Sequence, residues 1–525
     1  MNKLYITLLM CGASLMVSAQ ATFDVLKLSE TELNGTARYM SMAGAYGAVG
    51  GDVSSISQNP GGIGIYRSSD IGVTMNLNFQ KTQTPGDKLT DTKFMFNHVG
   101  YVGSMKIDSD FFKYFNWGFS FNRNKSFNRR YQGGYAINNS LTNKIADNLN
   151  NDGWTEVDLS TSTYGDNNIY YECDAPWIGI LAYQSYLLNG TSDGRLQGLA
   201  GANTTGYASY LVDEKGHTDE YNITLGGNFS NKVYWGLNFG ITDLDFDSYQ
   251  YYGEDMDHAY IYNYLTNDGR VEPGYAGYDF QTYQETKGTG YNFKMGVIVK
   301  PINELRIGAA FHTPTYYDLK DLYKVQSGFD LCLDTDEEGY SDMTETGVEG
   351  YYDEYRYTIK TPWRFIGSLA VVPNSKGLIS MDYEYVGANT MRCGDERGGN
   401  YYDTEYKIKN QLQPSHILRV GAEYRVTPNL SLRAGYSYQT SPVKDEVKEK
   451  ANNNVDVVSS NYMYQYDKSN QYITAGLGYR YQKFYLDLAY VHQARKSQYH
   501  AYPGEIGEEV KDNNNKVALT LGFRF

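Results

Sequence analysis

The sequence predicts an all-β fold: a transmembrane barrel of about fourteen antiparallel strands with an N-terminal plug and long extracellular loops. Three observations predict it. Strand-length segments alternate between a greasy and a polar face along most of the chain. A secretory leader opens it. The last ten residues, Lys516 to Phe525, form a strand running to the final carboxylate, with Val517, Leu519, Leu521, Phe523 and Phe525 on one face and Ala518, Thr520, Gly522 and Arg524 on the other. An edge strand of a soluble β domain would also explain this stretch alone, but it loses force because the pattern recurs.

Residues 1–20 read as the leader: Lys3 is the positive start, Leu4 to Val17 the apolar run, and Val17-Ser18-Ala19 the small residues before a cut near Ala19 or Gln20. Cys11 does not make a lipoprotein signal, because Met10 stands where a small residue is needed. Beyond it no apolar run reaches the 18 residues of a membrane helix. Mean hydropathy is −0.55, yet 15% of residues are aromatic and 53 are Tyr. A barrel has this composition, because only alternate residues meet lipid and Tyr suits both interfaces. The net charge of −15 excludes a nucleic-acid binder and places acidic loops at the cell surface, beside outer-membrane lipid and lipopolysaccharide.

Residues 68–525 form the barrel. A first strand spans about Ser68–Gln80, with Ile71, Val73, Met75, Leu77 and Phe79 outward. Later segments repeat the theme, including Trp235, Leu237, Phe239 and Ile241, and Leu418 to Val426. Short connections (Phe229 to Lys232, Pro373 to Lys376, Gln482-Lys483) suit periplasmic turns, and long acidic ones suit extracellular loops. The opposite face carries Lys294, Arg306, Asp382, Glu384, Arg419, Glu423, Arg433 and Asp487, which requires a wet lumen. One strand changes parity. Phe94 and Phe96 hold one phase and Val99, Tyr101 and Met105 the other, so an extra residue near Asn97-His98 marks a β-bulge, ordinary or opening the wall.

Residues 21–67 do not alternate. They are rich in small residues, with Asp52 an N-cap before Val53 to Gln58, and read as a plug inside the lumen or as a periplasmic tail. Their run ARYMSMAGAYGAVGGDVSSISQNPGGIG resembles the N-terminal hatch of the FadL/TodX family of outer-membrane transporters, through Gly44-Ala45-Tyr46, Asp52 and Asn59-Pro60, with Gly61 where the family has Ala. Arg306 to Pro314 and Arg433 to Pro442 resemble that family's strand-to-loop phrase. The resemblance implies a fourteen-stranded barrel with a hatch, no cofactor and no catalysis. It implies passive uptake of fatty acids or other hydrophobic molecules, captured at a surface groove, held in a pocket against the hatch and released sideways into the membrane. Asn59, Pro60 and Gly61 would shape the hatch turn, with Met40, Met42, Tyr46 and Ile63 beside the pocket. Phe525 resembles the signal read by the barrel-assembly machinery, and the expected state is a monomer.

Four further features bear on chemistry. The apolar stretch with Trp177, Ile178, Ile180 and Leu181, within a loop of about 132–216, is a capture helix or a rim-packing helix. Asp334, Asp336, Glu338 and Glu345 have the spacing of a calcium loop, but Ser341 breaks the pattern and flanking helices are missing. Cys173, Cys332 and Cys393 allow at most one disulfide. Seven scattered His and no Gly-x-Ser-x-Gly elbow argue against an outer-membrane enzyme. A haem-uptake protein or a general porin would also be a barrel, and a plug argues against the porin.

Overall fold

A computed structural model describes residues 21–165, 168–262, 271–332, 336–342, 353–374, 376–448, 455, 457–458 and 460–525. The leader therefore lies outside the described residues. Fourteen strands make the wall. They are β1 Asp70–Gln83, β2 Lys88–Lys106, β3 Phe112–Ser126, β4 Thr205–Phe229, β5 Val233–Tyr262 and β6 Val271–Val299. β7 is Leu305–His312, continued past Pro314 by Tyr316–Cys332; β8 is Arg364–Val371, preceded by Asp353–Lys360. β9 Gly377–Val386, β10 Ser415–Arg425, β11 Leu430–Thr440, β12 Tyr464–Tyr481, β13 Phe484–His500 and β14 Glu508–Arg524 complete it. Each pairs antiparallel with its neighbour, and β14 pairs with β1 from Lys511↔Gln83 to Arg524↔Asp70, which closes the barrel. Backbone bonds between Ser69 and Phe525, both 3.0 Å, extend that closure to the last residue. Closure leaves no sheet edge in lipid, where an unpaired backbone group costs several kcal/mol.

The faces reverse along the long strands. In the lower part of β5, Leu237, Phe239 and Ile241 are exposed on the outer face while Asn238 and Thr242 are buried inside. A few residues higher, Asp243 and Asp247 hold the outer face and Leu244 and Phe246 are buried inside. The lower half is thus built for lipid outside and polar contents within, the upper half for water outside and an apolar interior. A strand needs about 9–11 residues to cross the hydrocarbon, and β5 has 30. Most of it stands above the membrane.

Two apolar clusters fill the upper half. One joins the helices α1 (Leu141–Asp152) and α2 (Trp177–Gln184) to the inner faces of β4, β5 and β6. The other gathers Leu244, Phe246, Tyr317, Leu319, Tyr357 and Ile359 with Phe23, Val25, Leu26 and Leu28 of an N-terminal helix, Thr22–Ser29. Cys173 belongs to the first cluster and Cys393 to the second, so these two are not bonded to each other. The expected loop of 132–216 is shorter than its sequence suggested: Arg129–Ile137 pairs with β4, and β4 itself begins at Thr205. Tyr131, Tyr210 and Val212 are buried there, and apolar residues facing inward above the membrane break the outward-greasy pattern that marks wall strands lower down.

Candidate transport site

The N-terminal segment threads the lumen from the upper half to the periplasmic mouth. Its first helix lies in the upper cluster, with Phe23 stacked on Tyr464 at 5.4 Å. The chain then descends through a short helix, Ala37–Ser41, capped by the Thr36 hydroxyl, and two 3-10 turns, Ser54–Ser57 and Pro60–Ile65. Asp52 stands just before the first turn, accepting from the Ser54 amide (3.0 Å) and from the Thr36 hydroxyl (2.8 Å). Asn59 caps the second, accepting from the Gly61 amide at 3.0 Å and donating to the Gly47 carbonyl at 2.5 Å.

This segment lies directly on the backbone of the wall. A Cβ at Gly236 would collide with the Pro60 carbonyl, and one at Gly296 with the Asn59 side chain. Small inward residues let two backbones approach, as a bulky side chain would not. Polar wall residues then bind the segment: Asp382 accepts from the Gly47 amide (2.8 Å), Asn116 donates to the Ile63 carbonyl (2.7 Å) and His312 meets the Gln58 carbonyl (2.8 Å). Most of the inward charges are paired. Lys294 bridges Glu220 at 2.7 Å, Glu384 takes both Arg419 (2.6 Å) and Arg364 (3.1 Å), and Glu423 takes Arg38 (3.1 Å) and Arg433 (2.7 Å). Arg433 also reaches Asp487.

Between the upper cluster and the short helix lies a chamber of about 140 Å³, lined by Glu32, Tyr39, Asn124, Lys294, Glu384 and Arg419 among others. It is polar, in keeping with the wet lumen that the inward charges require. Lys294, Glu384 and Arg419 of the ion pairs just described stand in its lining.

The wall is interrupted beside this chamber. β2 and β3 pair from Lys106↔Tyr114 up to His98↔Asn122 and no further. Among the described residues, Lys88 to Phe96 of β2 pair with β1 only, and β3 above Asn122 pairs with β4 only. Higher up the strands are tied again, by Lys93 Nζ to Asn128 Oδ1 (2.8 Å) and Thr84 Oγ1 to the Gln132 carbonyl (2.6 Å). The result is a window. A bulge stands on each side of it, at Asn97 in β2 and at Asn124 in β3, where the register slips by one residue. The N-terminal segment holds both edges: Asn97 Nδ2 donates to the Gly35 carbonyl (3.0 Å) and to Met40 Sδ (3.4 Å), and the Glu32 amide donates to the Asn124 carbonyl (2.8 Å). On the outer lip Phe94 is 66% exposed and Phe96 packs on Phe121 at 5.7 Å. On the lower edge His98 is fully buried with neither ring nitrogen hydrogen-bonded.

Residues 273–524 match the family model described as outer membrane protein transport protein (OMPP1/FadL/TodX). That stretch, just under half of the chain, is similar to this family. A crystal structure of a Pseudomonas aeruginosa FadL homologue superposes on this FadL/TodX-type barrel with a TM-score of 0.50 at 12% identity, covering 95% of this chain and 100% of that one. The Pseudomonas putida toluene transporter TodX matches with a TM-score of 0.45 at 11% identity, over 95% of this chain and 99% of that one. No curated protein sequence matches the chain. The match and the shared barrel fold make this chain FadL/TodX-like.

The residues singled out from sequence fall at different places on the hatch. Met40 lies at the window. Met42 and Tyr46 form a small cluster with Ala48, Val49 and Ala370 on another side of the lumen, and Ile63 packs with Val53, Ile56, Tyr66 and Val102. Asn59, Pro60 and Gly61 lie on the backbones of β5 and β6. These residues bind the hatch to the wall all round and do not converge on one cavity. In the helix Trp177–Gln184, Ile178, Ile180 and Leu181 are buried in the upper cluster and Trp177 packs against it. Asp334 and Glu345 of the calcium-like loop lie outside the described residues, and Asp336 and Glu338 fall in the strand Asp336–Asp342. Glu32, Gly35 and Asn124 were not anticipated. The parity change at Asn97-His98 was the one signal in the sequence that pointed to them.

Proposed function

We propose that the protein takes up hydrophobic compounds, fatty acids among them, and releases them sideways into the membrane through the window between β2 and β3. The observation that carries this reading is the window itself: unpaired strand edges at the level of exposed Phe94 and Phe96, bridged from inside by the segment Glu32 to Met40. An apolar solute gains nothing from a watery pore and gains by entering lipid, so a side exit is worth its broken ladder. The apolar cluster around the N-terminal helix receives the tail. The polar chamber and the unpartnered imidazole of His98 meet a polar head, which favours an amphiphile over a pure hydrocarbon. Uptake requires the Glu32 to Met40 stretch to let go of Asn97 and Asn124, so the hatch is the gate.

The test is deletion of Asn97. Removing the extra residue restores alternation from Phe94 to Met105 and lets β2 pair with β3 above His98. The variant should fold to a heat-modifiable barrel, while uptake of a radiolabelled fatty acid by whole cells falls at least tenfold. Uptake at the wild-type rate would rule out this exit. Mass spectrometry of lipids extracted from the purified protein names the ligand class.

A further inference from the structure

Below the hatch, where the short turns lie, the lumen opens into a basin of about 370 Å³. Its charge contrasts with that of the chain, which is −15 overall. Arg38, Arg306 and Arg524 line it from the hatch side, and Arg67, Lys376, Arg425 and Arg480 from the turn side. Among the described residues, the one carboxylate in the lining is Glu423, already bridged by Arg38 and Arg433. Arg524 is bridged to Asp70 at 3.0 Å. Among the described residues, Arg67, Arg306, Lys376, Arg425 and Arg480 have no carboxylate partner. The Nε of Arg306 is also buried without a hydrogen bond.

The cations do not merely line the basin. Arg306 donates to the Val49 carbonyl at 2.8 Å, and Arg38 and Arg524 both donate to the Gly51 carbonyl, at 3.3 and 3.4 Å. Gly50 and Gly51 adopt positive φ (60° and 67°), a conformation that costs glycine little. Three guanidinium groups thus fasten a glycine loop of the hatch by neutral carbonyls, which are weaker partners for Arg than an anion. Several unneutralised cations around one concavity raise the local positive potential and concentrate anions. The volume is that of a site for a small molecule, and guanidinium forks match phosphate oxygens in pairs.

We propose that this basin binds a phosphate-bearing anion at the periplasmic face, and that the bound phosphate competes with the Val49 and Gly51 carbonyls for the arginines that hold the hatch loop. The phosphate can belong to a free small molecule or to the headgroup of an inner-leaflet lipid, since the basin lies at the level of the periplasmic turns. Anion binding here is independent of the side exit and would survive its failure.

The test uses the full-length protein in zwitterionic detergent and an Arg425→Gln/Arg480→Gln variant. Both substituted side chains are exposed and neither holds the hatch, so heat-modifiable folding should be retained. Calorimetric titration with pyrophosphate at low salt should show saturable binding that weakens at least tenfold in the variant and fades at high salt. Native mass spectrometry after exposure to phosphatidylglycerol nanodiscs gives the second arm. Retention of the lipid by wild type and not by the variant assigns the headgroup as source, and pyrophosphate binding without lipid retention assigns a free anion. Binding of neither probe, or equal binding by both proteins, overturns the proposal. A third readout tests the competition: saturating pyrophosphate should speed hydrogen exchange at the Gly50 and Gly51 amides at least threefold, and unchanged exchange would overturn that part.

Discussion

Asp321 shows what the reversal of faces asks of a single residue. It lies on the continuation of β7, five places above Tyr316, whose ring stacks on Tyr291 at 5.8 Å at the top of the exposed apolar band. Above that band inward means buried, and burial pushes the Asp321 carboxyl up to about 7 against hydrogen bonds that include one from the Tyr357 hydroxyl at 3.0 Å. Because the folded value lies above the unfolded one, the protonated acid favours the fold. That contribution is complete below the ordinary value of 3.8 and is lost as pH rises through about 7. At roughly 1.4 kcal/mol per unit it amounts to at most about 4 kcal/mol. Hydrogen exchange at the amides around Asp321, corrected for intrinsic rates, should speed up between pH 6 and 8 in wild type and stay flat in Asp321→Asn. At this scale the sequence was a partial guide. It marked the inward charges of the lower wall, because alternation alone puts them there, but not their partners. Arg38 meets Glu423 across 385 positions, a distance that no local pattern spans.

At the scale of elements, the turn capped by Asn59 is the clearest case of a short motif with long reach. Its side chain closes the turn on Gly61 and reaches the Gly47 and Val297 carbonyls, while Pro60 sits on Gly236. Replacing Asn59 and Pro60 together with Ala should cost about 1–2 kcal/mol of local stability through the lost cap and leave the wall strands untouched. Expected readouts are a heat-modifiable barrel, faster exchange in residues 59–65 and uptake below one tenth of wild type. Full uptake would take this turn out of the mechanism. The lower strands were legible because their outer face is greasy at every second position over a membrane's thickness. The upper strands were not. In β5 the parity that carries Leu237, Phe239 and Ile241 goes on to carry Asp243, Asp245 and Asp247, and a reader following apolar residues stops at that point. Strand continues, and only the solvent has changed. The same blindness widened the expected loop after β3.

For the whole molecule, under the proposed function, the hatch is the difference between a transporter and a hole. The lumen is lined by charges whose partners are partly on the hatch: Glu423 with Arg38, Lys516 with Glu32, Lys125 with Glu30. Taking away residues 21–66 would unmask these wall charges to water inside a closed fourteen-strand ring. Such a truncated barrel should still insert in planar bilayers and conduct ions steadily, where the intact protein stays silent or shows rare openings. Steady conductance by the intact protein would instead favour the porin reading. The clash-free contact of hatch and wall depends on inward glycines, so its tightness is a property of the two together and was not readable from either alone.

The reversal of faces has one more consequence, for how the cell surface is seen from outside. What an antibody or a phage meets here is to a large extent the outer side of β4, β5 and β6, where Asp245 and Asp247 of β5 stand beside His217 and Lys215 of β4 and Lys287 and Glu285 of β6. Such an epitope is assembled from residues far apart in the chain and exists only while the sheet does. Sera raised against the native protein should stain intact cells and fail on boiled, denatured blots, whereas peptide antisera should do the reverse.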